Sequence, residues 1–88
     1  MKITVNAFGP EITGLMGREK IVDPTPGSTL GDLIRSLEEE VRTKHGWSQG
    51  FITSNFVILV NSLHVKTPND RILKEGETVT ILSPIGGG

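Results

Sequence analysis

The stretch Thr29-Leu30-Gly31-Asp32-Leu33-Ile34-Arg35-Ser36-Leu37-Glu38-Glu39-Glu40-Val41-Arg42 decides the fold. Leu30, Leu33, Ile34, Leu37 and Val41 recur at helical spacing and form one apolar stripe, while Arg35, Glu38, Glu39 and Arg42 point elsewhere. Thr29 is placed as an N-cap with Asp32 three residues on, so that each side chain reaches a free backbone N–H at the helix start. Losing the Thr29 cap would cost about 1 kcal/mol. Gly46 is well placed to end the helix, since glycine readily takes the left-handed conformation that closes a last turn. The pattern predicts a helix over roughly residues 30–44. Glu38-Glu39-Glu40 reads as its solvated face.

Upstream of the helix, Lys2 to Phe8 reads as a strand, with Ile3, Val5 and Ala7 on one face and Thr4, Asn6 and Phe8 on the other. Gly9-Pro10 punctuates its end. Glu11 to Gly17 is expected to be a loop, and Arg18 to Asp23 a short second strand carrying Ile21 and Val22. The two would form a hairpin with an enlarged loop. Pro24-Thr25-Pro26-Gly27-Ser28 then stops the strand, because two prolines lack the amide donors that a ladder requires.

Downstream, Trp47 to Asn55 is irregular and is expected to be a loop with room for a turn of helix. Trp47 is either an anchor for that loop or a contact residue. Phe56 to Val60 is a continuous apolar run of the kind found in a central strand. Such a run does not reveal whether Phe56, Ile58 and Val60 or Val57 and Leu59 face the core. Asn61-Ser62 makes a turn, and Leu63 to Lys66 pairs back. Thr67 to Asp70 is a loop, and Leu73-Lys74-Glu75-Gly76-Glu77 turns into a last strand, Thr78 to Leu82, with Val79 and Ile81 inward.

Strand–strand–helix–strand–strand–strand is an α+β order. A single long helix can cover one face of one mixed sheet of four to five strands, as in a β-grasp or ubiquitin-like roll. The expected organisation is a domain over residues 1–83 followed by a flexible tail, Pro84 to Gly88.

Composition narrows the function classes. With 88 residues there is room for one core. Nine basic against ten acidic residues give a net charge of −1 with no basic stripe, which argues against nucleic-acid binding. The absence of cysteine removes disulfides, thiolate nucleophiles and thiolate metal sites. The opening Met1-Lys2-Ile3-Thr4-Val5-Asn6 lacks the apolar core of a signal peptide, and no stretch approaches the ~20 apolar residues that span a bilayer. A soluble cytoplasmic protein without membrane contact is expected.

Enzyme chemistry finds little purchase. His45 and His64 are isolated and lack metal-ligand spacing, so surface histidines are expected. Gly9, Gly14 and Gly17 punctuate a loop, but no Gly-Lys-Ser/Thr follows to make a phosphate site. None of the serines has a nucleophile-elbow context. No catalytic residue, metal site or cofactor is expected.

The informative segment is the end, Ser83-Pro84-Ile85-Gly86-Gly87-Gly88. Pro84 ends the last strand, and beyond Ile85 only glycine remains. Five residues fully extended reach roughly 16 Å, enough to enter a narrow channel and present a terminal carboxylate at its bottom. Bare glycines permit close backbone approach inside such a channel. Phe8 and Leu82 fall on the outward phase of their strands and Ile85 lies beyond the sheet, so these three could form an apolar patch that docks a partner. Equally, Phe8 and Leu82 could cover the open edge of the core.

The chain resembles the MoaD/ThiS family of sulfur carriers over nearly its whole length. The resemblance rests on the opening strand, on Gly27-Ser28-Thr29-Leu30-Gly31-Asp32-Leu33 at the helix entry and on Val60-Asn61 at the hairpin. Above all it rests on Leu73 to Gly88: an acidic-Gly-acidic turn, an apolar strand, a Pro-containing bend and a terminal Gly-Gly. It implies that a partner adenylyltransferase related to ubiquitin-activating enzymes adenylates Gly88, with Pro84, Ile85, Gly86 and Gly87 recognised as the tail. It further implies that sulfur replaces AMP to leave a thiocarboxylate, which an acceptor such as a molybdopterin synthase large subunit consumes. Ser83 stands where the molybdopterin type carries the first of two prolines, while Pro84 and the chain length favour that type over the thiamin type. A ubiquitin-like modifier joined to lysines, and an interaction domain with an inert tail, are the alternatives.

Overall fold

The computed structural model describes residues 1–9, 12–14, 17–46, 52, 55–65 and 71–83, the side chains of Lys44 and His45 excepted. Five strands and one principal helix follow in the order β1 (Ile3–Phe8), β2 (Glu19–Val22), α1 (Leu30–His45), β3 (Val57–Val60), β4 (Leu63–His64) and β5 (Thr78–Leu82). The sheet order is β2-β1-β5-β3-β4. β1 and β5 pair in parallel at the centre, and the remaining neighbours are antiparallel. This is the mixed five-stranded sheet with one helix of a β-grasp fold.

α1 forms where its local signals agree. Asp32 donates its backbone N–H to Thr29 Oγ1 at 3.1 Å, and the Thr29 N–H returns to Asp32 Oδ2 at 3.1 Å, closing a capping box. The helix stops at Gly46, whose φ of 72° is left-handed and whose N–H donates to the Arg42 carbonyl at 2.7 Å. Asp32 also accepts from Arg35 Nη2 at 2.6 Å. The backbone bond from Thr29, then the Arg35 guanidinium, hold its carboxyl below the ordinary range.

Leu30, Leu33, Ile34 and Leu37 bury against Ile3, Val5 and Ala7 of β1, Ile58 and Val60 of β3, and Val79 and Ile81 of β5. Truncating one of these leucines or isoleucines to alanine would cost about 2–5 kcal/mol. Phe56, Ile58 and Val60 are the inward set, so Val57 and Leu59 face the other way.

Several expectations change. Glu38 is not on a solvated face: it is 6% exposed, and its Oε2 accepts the Ile52 backbone N–H at 2.9 Å. It lies one turn from both Ile34 and Val41, at the flank of the apolar stripe, and Ile52 lies over it. Glu39 and Glu40 remain exposed, paired with Arg42 and Lys20. Within the expected loop before β2, Ile12 to Gly14 form a helical turn that buries Ile12 completely in the core. Ile52 and Asn55 are likewise helical, while Trp47 lies outside the described residues. β4 is two residues long, although Val65 still donates to the Ile58 carbonyl at 3.0 Å.

The turn into β5 is pinned by a buried carboxylate. Glu77 is 7% exposed and accepts from the Lys74 N–H at 2.7 Å, Arg71 Nη2 at 3.0 Å and Asn61 Nδ2 at 3.3 Å. Asn61, at a positive φ of 49°, accepts the Thr78 N–H on Oδ1 at 3.0 Å and donates its own N–H to the Thr78 carbonyl at 2.8 Å. The β3–β4 turn is thereby tied to the start of the strand that leads to the tail.

Candidate functional site

β5 runs from the Glu77 lock at one end of the sheet to Leu82 at the other. Its parallel neighbour β1 ends level with it, Phe8 lying beside Leu82. Beyond this last pair, Ser83 donates its N–H to the Phe8 carbonyl at 3.1 Å, extending the ladder by one residue. The root of the tail is therefore built by the ends of the two central strands. The expected tail residues Pro84, Ile85, Gly86, Gly87 and Gly88 lie outside the described residues.

The strand parity that buries Val5, Ala7, Val79 and Ile81 under α1 turns Phe8 and Leu82 to the opposite face. Phe8 is 56% exposed and Leu82 half-buried, and neither joins the core cluster. Val57 of β3 is the partner of Leu82, so Phe8, Leu82 and Val57 make one apolar row across three strands. Directly opposed side chains of this kind sit about 5 Å apart. Leu59 belongs to the next row, between Thr80 and His64. Further from the tail, the same face carries Asn6, Thr80, Thr4 and Thr78. The open face is thus polar at its centre and apolar where the tail departs.

Val57 and Leu59 were not assignable from the sequence, because an unbroken apolar run carries no parity. Pairing with β5 supplies it.

Gly9 closes the site from behind. Its φ of +113° is open to glycine and strained for any other residue, and a Cβ built there would lie 2.2 Å from Ser83 Oγ and 2.6 Å from Ser83 Cβ. The Gly9 carbonyl accepts both the backbone N–H of Thr13 at 3.0 Å and its hydroxyl at 2.8 Å, which ties the end of β1 to the helical turn that follows. Beside this contact a shallow hollow of about 400 Å³ is lined by Ala7, Phe8, Gly9, Thr13 and Arg18.

Among its described residues, the region offers an apolar surface and the close Gly9–Ser83 contact. Among the described residues, no group of three or more His, Cys, Asp or Glu side chains could hold a metal ion. His64 is exposed on the edge strand β4, and the His45 side chain lies outside the described residues. No helix among the described residues is long and apolar enough to cross a membrane.

Solved structures share this architecture end to end. The molybdopterin converting factor subunit 1 assigned in Pyrococcus furiosus superposes with a TM-score of 0.74 at 25% identity, covering 97% of this chain and 99% of that one. The complex of subunits 1 and 2 of the molybdopterin-converting factor from Helicobacter pylori 26695 contains a chain with a TM-score of 0.62 at 21% identity, each chain covered completely. The small archaeal modifier protein 1 from Methanosarcina acetivorans reaches 0.74 at 18% identity, over 99% of this chain and 96% of that one. No curated protein matches the chain. The model of the ThiS family matches residues 3–88, from the first residue of β1 through the terminal glycines, and the chain belongs to that family.

Proposed function

We propose that this protein carries activated sulfur on its C-terminal glycine and that it serves its partner enzymes as a substrate, contributing no acid, base or metal of its own. An adenylyltransferase related to ubiquitin-activating enzymes binds the apolar row at Phe8, Leu82 and Val57 and draws in Pro84 to Gly88. The Gly88 carboxylate attacks the α-phosphate of ATP, expelling pyrophosphate and leaving an acyl-adenylate. Sulfide attacking the acyl carbon expels AMP and leaves a thiocarboxylate directly. A persulfide expels AMP to give an acyl disulfide, whose S–S bond a thiol then cleaves, releasing the thiocarboxylate and forming a disulfide between the thiol and the sulfur donor. A carboxylate is a poor acyl donor, and the mixed anhydride supplies the leaving group it lacks. The thiocarboxylate sulfur is in turn a good nucleophile for handing on to an acceptor.

The observation that carries this reading is the reach of the family match through residue 88, on a sheet whose apolar end lies where that tail departs. Pro84 and the likeness to molybdopterin converting factor subunits favour a molybdopterin-type acceptor, such as the second subunit present in the Helicobacter pylori complex. A cytoplasmic setting suits this chemistry.

A second reading shares the adenylate and ends in an isopeptide bond to lysine. It draws on the likeness to the small archaeal modifier protein and to Urm1 from Trypanosoma brucei. Intact mass after incubation with the adenylyltransferase, ATP and a sulfur source separates the two. Replacement of one oxygen by sulfur supports the carrier, and a lysine-linked adduct supports the modifier. Deleting Gly88 should abolish either product and leave the melting temperature unchanged. No mass change under any condition would refute both.

A further inference from the structure

Resting on the sulfur-carrier reading, we infer that Arg18 determines which adenylyltransferase the carrier accepts: it is an unmatched cation at the border of the apolar row, and the enzyme that covers Phe8 meets it with a carboxylate. Arg18 immediately precedes β2, and its carbonyl accepts the Ala7 N–H at 2.9 Å. That bond carries the β1–β2 register one step past Asn6 and Glu19, so Arg18 lies at the same end of the sheet as Phe8. Arg18 and Phe8 line one shallow hollow together with Ala7, Gly9 and Thr13.

Charge pairing elsewhere singles this residue out. Arg35, Arg42 and Arg71 are bound to Asp32, Glu39 and Glu77 in turn, and Lys20 is bound to Glu40. Arg18 is exposed, and among the described residues no carboxylate pairs with it. Lys2 and Lys74 also form no side-chain ion pair among the described residues, but they lie at the far end of the sheet. There the Lys2 carbonyl accepts the Gly76 N–H at 2.9 Å, and the Lys74 N–H reaches Glu77.

Water solvates an exposed guanidinium at no cost. A partner surface that buries Phe8 also closes over the hollow beside it and takes that water away. A desolvated cation without a counter-charge weakens the complex, whereas a carboxylate on the partner recovers the loss in a charge-assisted contact. Arg18 therefore works against any partner that lacks an acidic group at this point and favours one that has it. The planar guanidinium can hold both oxygens of a carboxylate at once, which a lysine ammonium does less well.

The test titrates the cognate adenylyltransferase, without ATP, with the wild type, Arg18→Gln, Arg18→Lys and Lys74→Gln. Pyrophosphate release is then followed with ATP on the same proteins. Lys74→Gln removes the same charge from the far end of the sheet. Arg18→Gln should raise Kd at least about tenfold and Arg18→Lys by less, while Lys74→Gln stays within about twofold of wild type. Arg18→Gln should cost less in a Phe8→Ser background than alone, because the surface that desolvates Arg18 no longer closes. Melting temperatures should match wild type for the position 18 and 74 variants, whose side chains are exposed. A Kd for Arg18→Gln within about twofold of wild type would overturn the inference. So would an equal rise for Lys74→Gln, which marks an effect of net charge, or an equal cost with and without Phe8. A wild type that binds the enzyme and releases no pyrophosphate would defeat the carrier reading, and the Kd series would still decide the role of Arg18. A wild type that does not bind refutes both.

Discussion

Phe8 and Leu82 lie side by side in the parallel ladder of β1 and β5, both turned away from the helix, at the end of the sheet where the tail departs. A phenylalanine that is 56% exposed contributes little to the core that α1 covers on the other face. Under the proposed function it belongs to the surface that the adenylyltransferase covers.

Phe8→Ser should therefore change the unfolding free energy by no more than about 0.5 kcal/mol, the usual range for an exposed site. A buried aromatic anchor in an interface contributes about 2 kcal/mol or more, so KM for adenylation should rise by roughly 30-fold with kcat nearly unchanged. Chemical denaturation and steady-state kinetics on the same preparation check both halves. An unchanged KM would remove Phe8 from the docking surface.

Glu77 gathers the Lys74 amide, Arg71 and Asn61 around one buried carboxylate. Hydrogen bonds to charged groups contribute about 1.5–3 kcal/mol, so Glu77→Ala should destabilise the fold by about 2–3 kcal/mol or more. Arg71→Ala should cost about 1 kcal/mol or less, because that side chain is 40% exposed and water screens the pair. Denaturant midpoints of the two variants measure the asymmetry, and equal losses would contradict it.

Legibility followed the locality of the forces. α1 could be read from the chain because cap, stripe and terminator all lie within a few residues of one another, and the structure closes each of them at Thr29, Asp32 and Gly46. The faces of β1 and β5 were equally plain, since strict alternation marks Val5 and Val79 as inward and Phe8 as outward. Parity in β3 was not, because Phe56 to Val60 is apolar throughout and only the register with β5 selects Phe56, Ile58 and Val60. Glu38 and Ile12 defeated local reading for a related reason. Ile12 packs into the core and Glu38 bonds to Ile52 through contacts with residues distant in sequence, which no local period announces. The Gly9–Ser83 contact belongs to this class, since it exists only once the parallel register brings two strand ends level.

Glu38 tests how far a non-local bond matters. Its carboxylate satisfies the Ile52 N–H, which otherwise lies in an apolar setting with Ile52 itself only 1% exposed. Glu38→Ala leaves that donor buried and should cost about 1–3 kcal/mol. Glu38→Gln keeps an acceptor oxygen and should recover at least half of the loss. Hydrogen exchange at the Ile52 amide should quicken in the alanine variant before global unfolding does. Equal stability of the two variants would show that the bond contributes nothing.

Asp32 makes a prediction about pH. Its carboxyl is held below the ordinary value of 3.8, first by the Thr29 backbone N–H and next by Arg35. A folded-state value below the unfolded one means that the native protein binds the proton more weakly than the unfolded chain. The contribution is therefore fully present above the unfolded value and is lost as pH falls through the lower, folded one. Asp32→Asn removes the titrating group, so wild type should exceed the variant in stability at neutral pH and the gap should close under acid. Denaturation of both proteins at pH steps from neutrality down past 3.8 measures this directly. A gap that stays constant across the series would mean that the Asp32 charge does not support the start of α1, and that the cap rests on Thr29 alone.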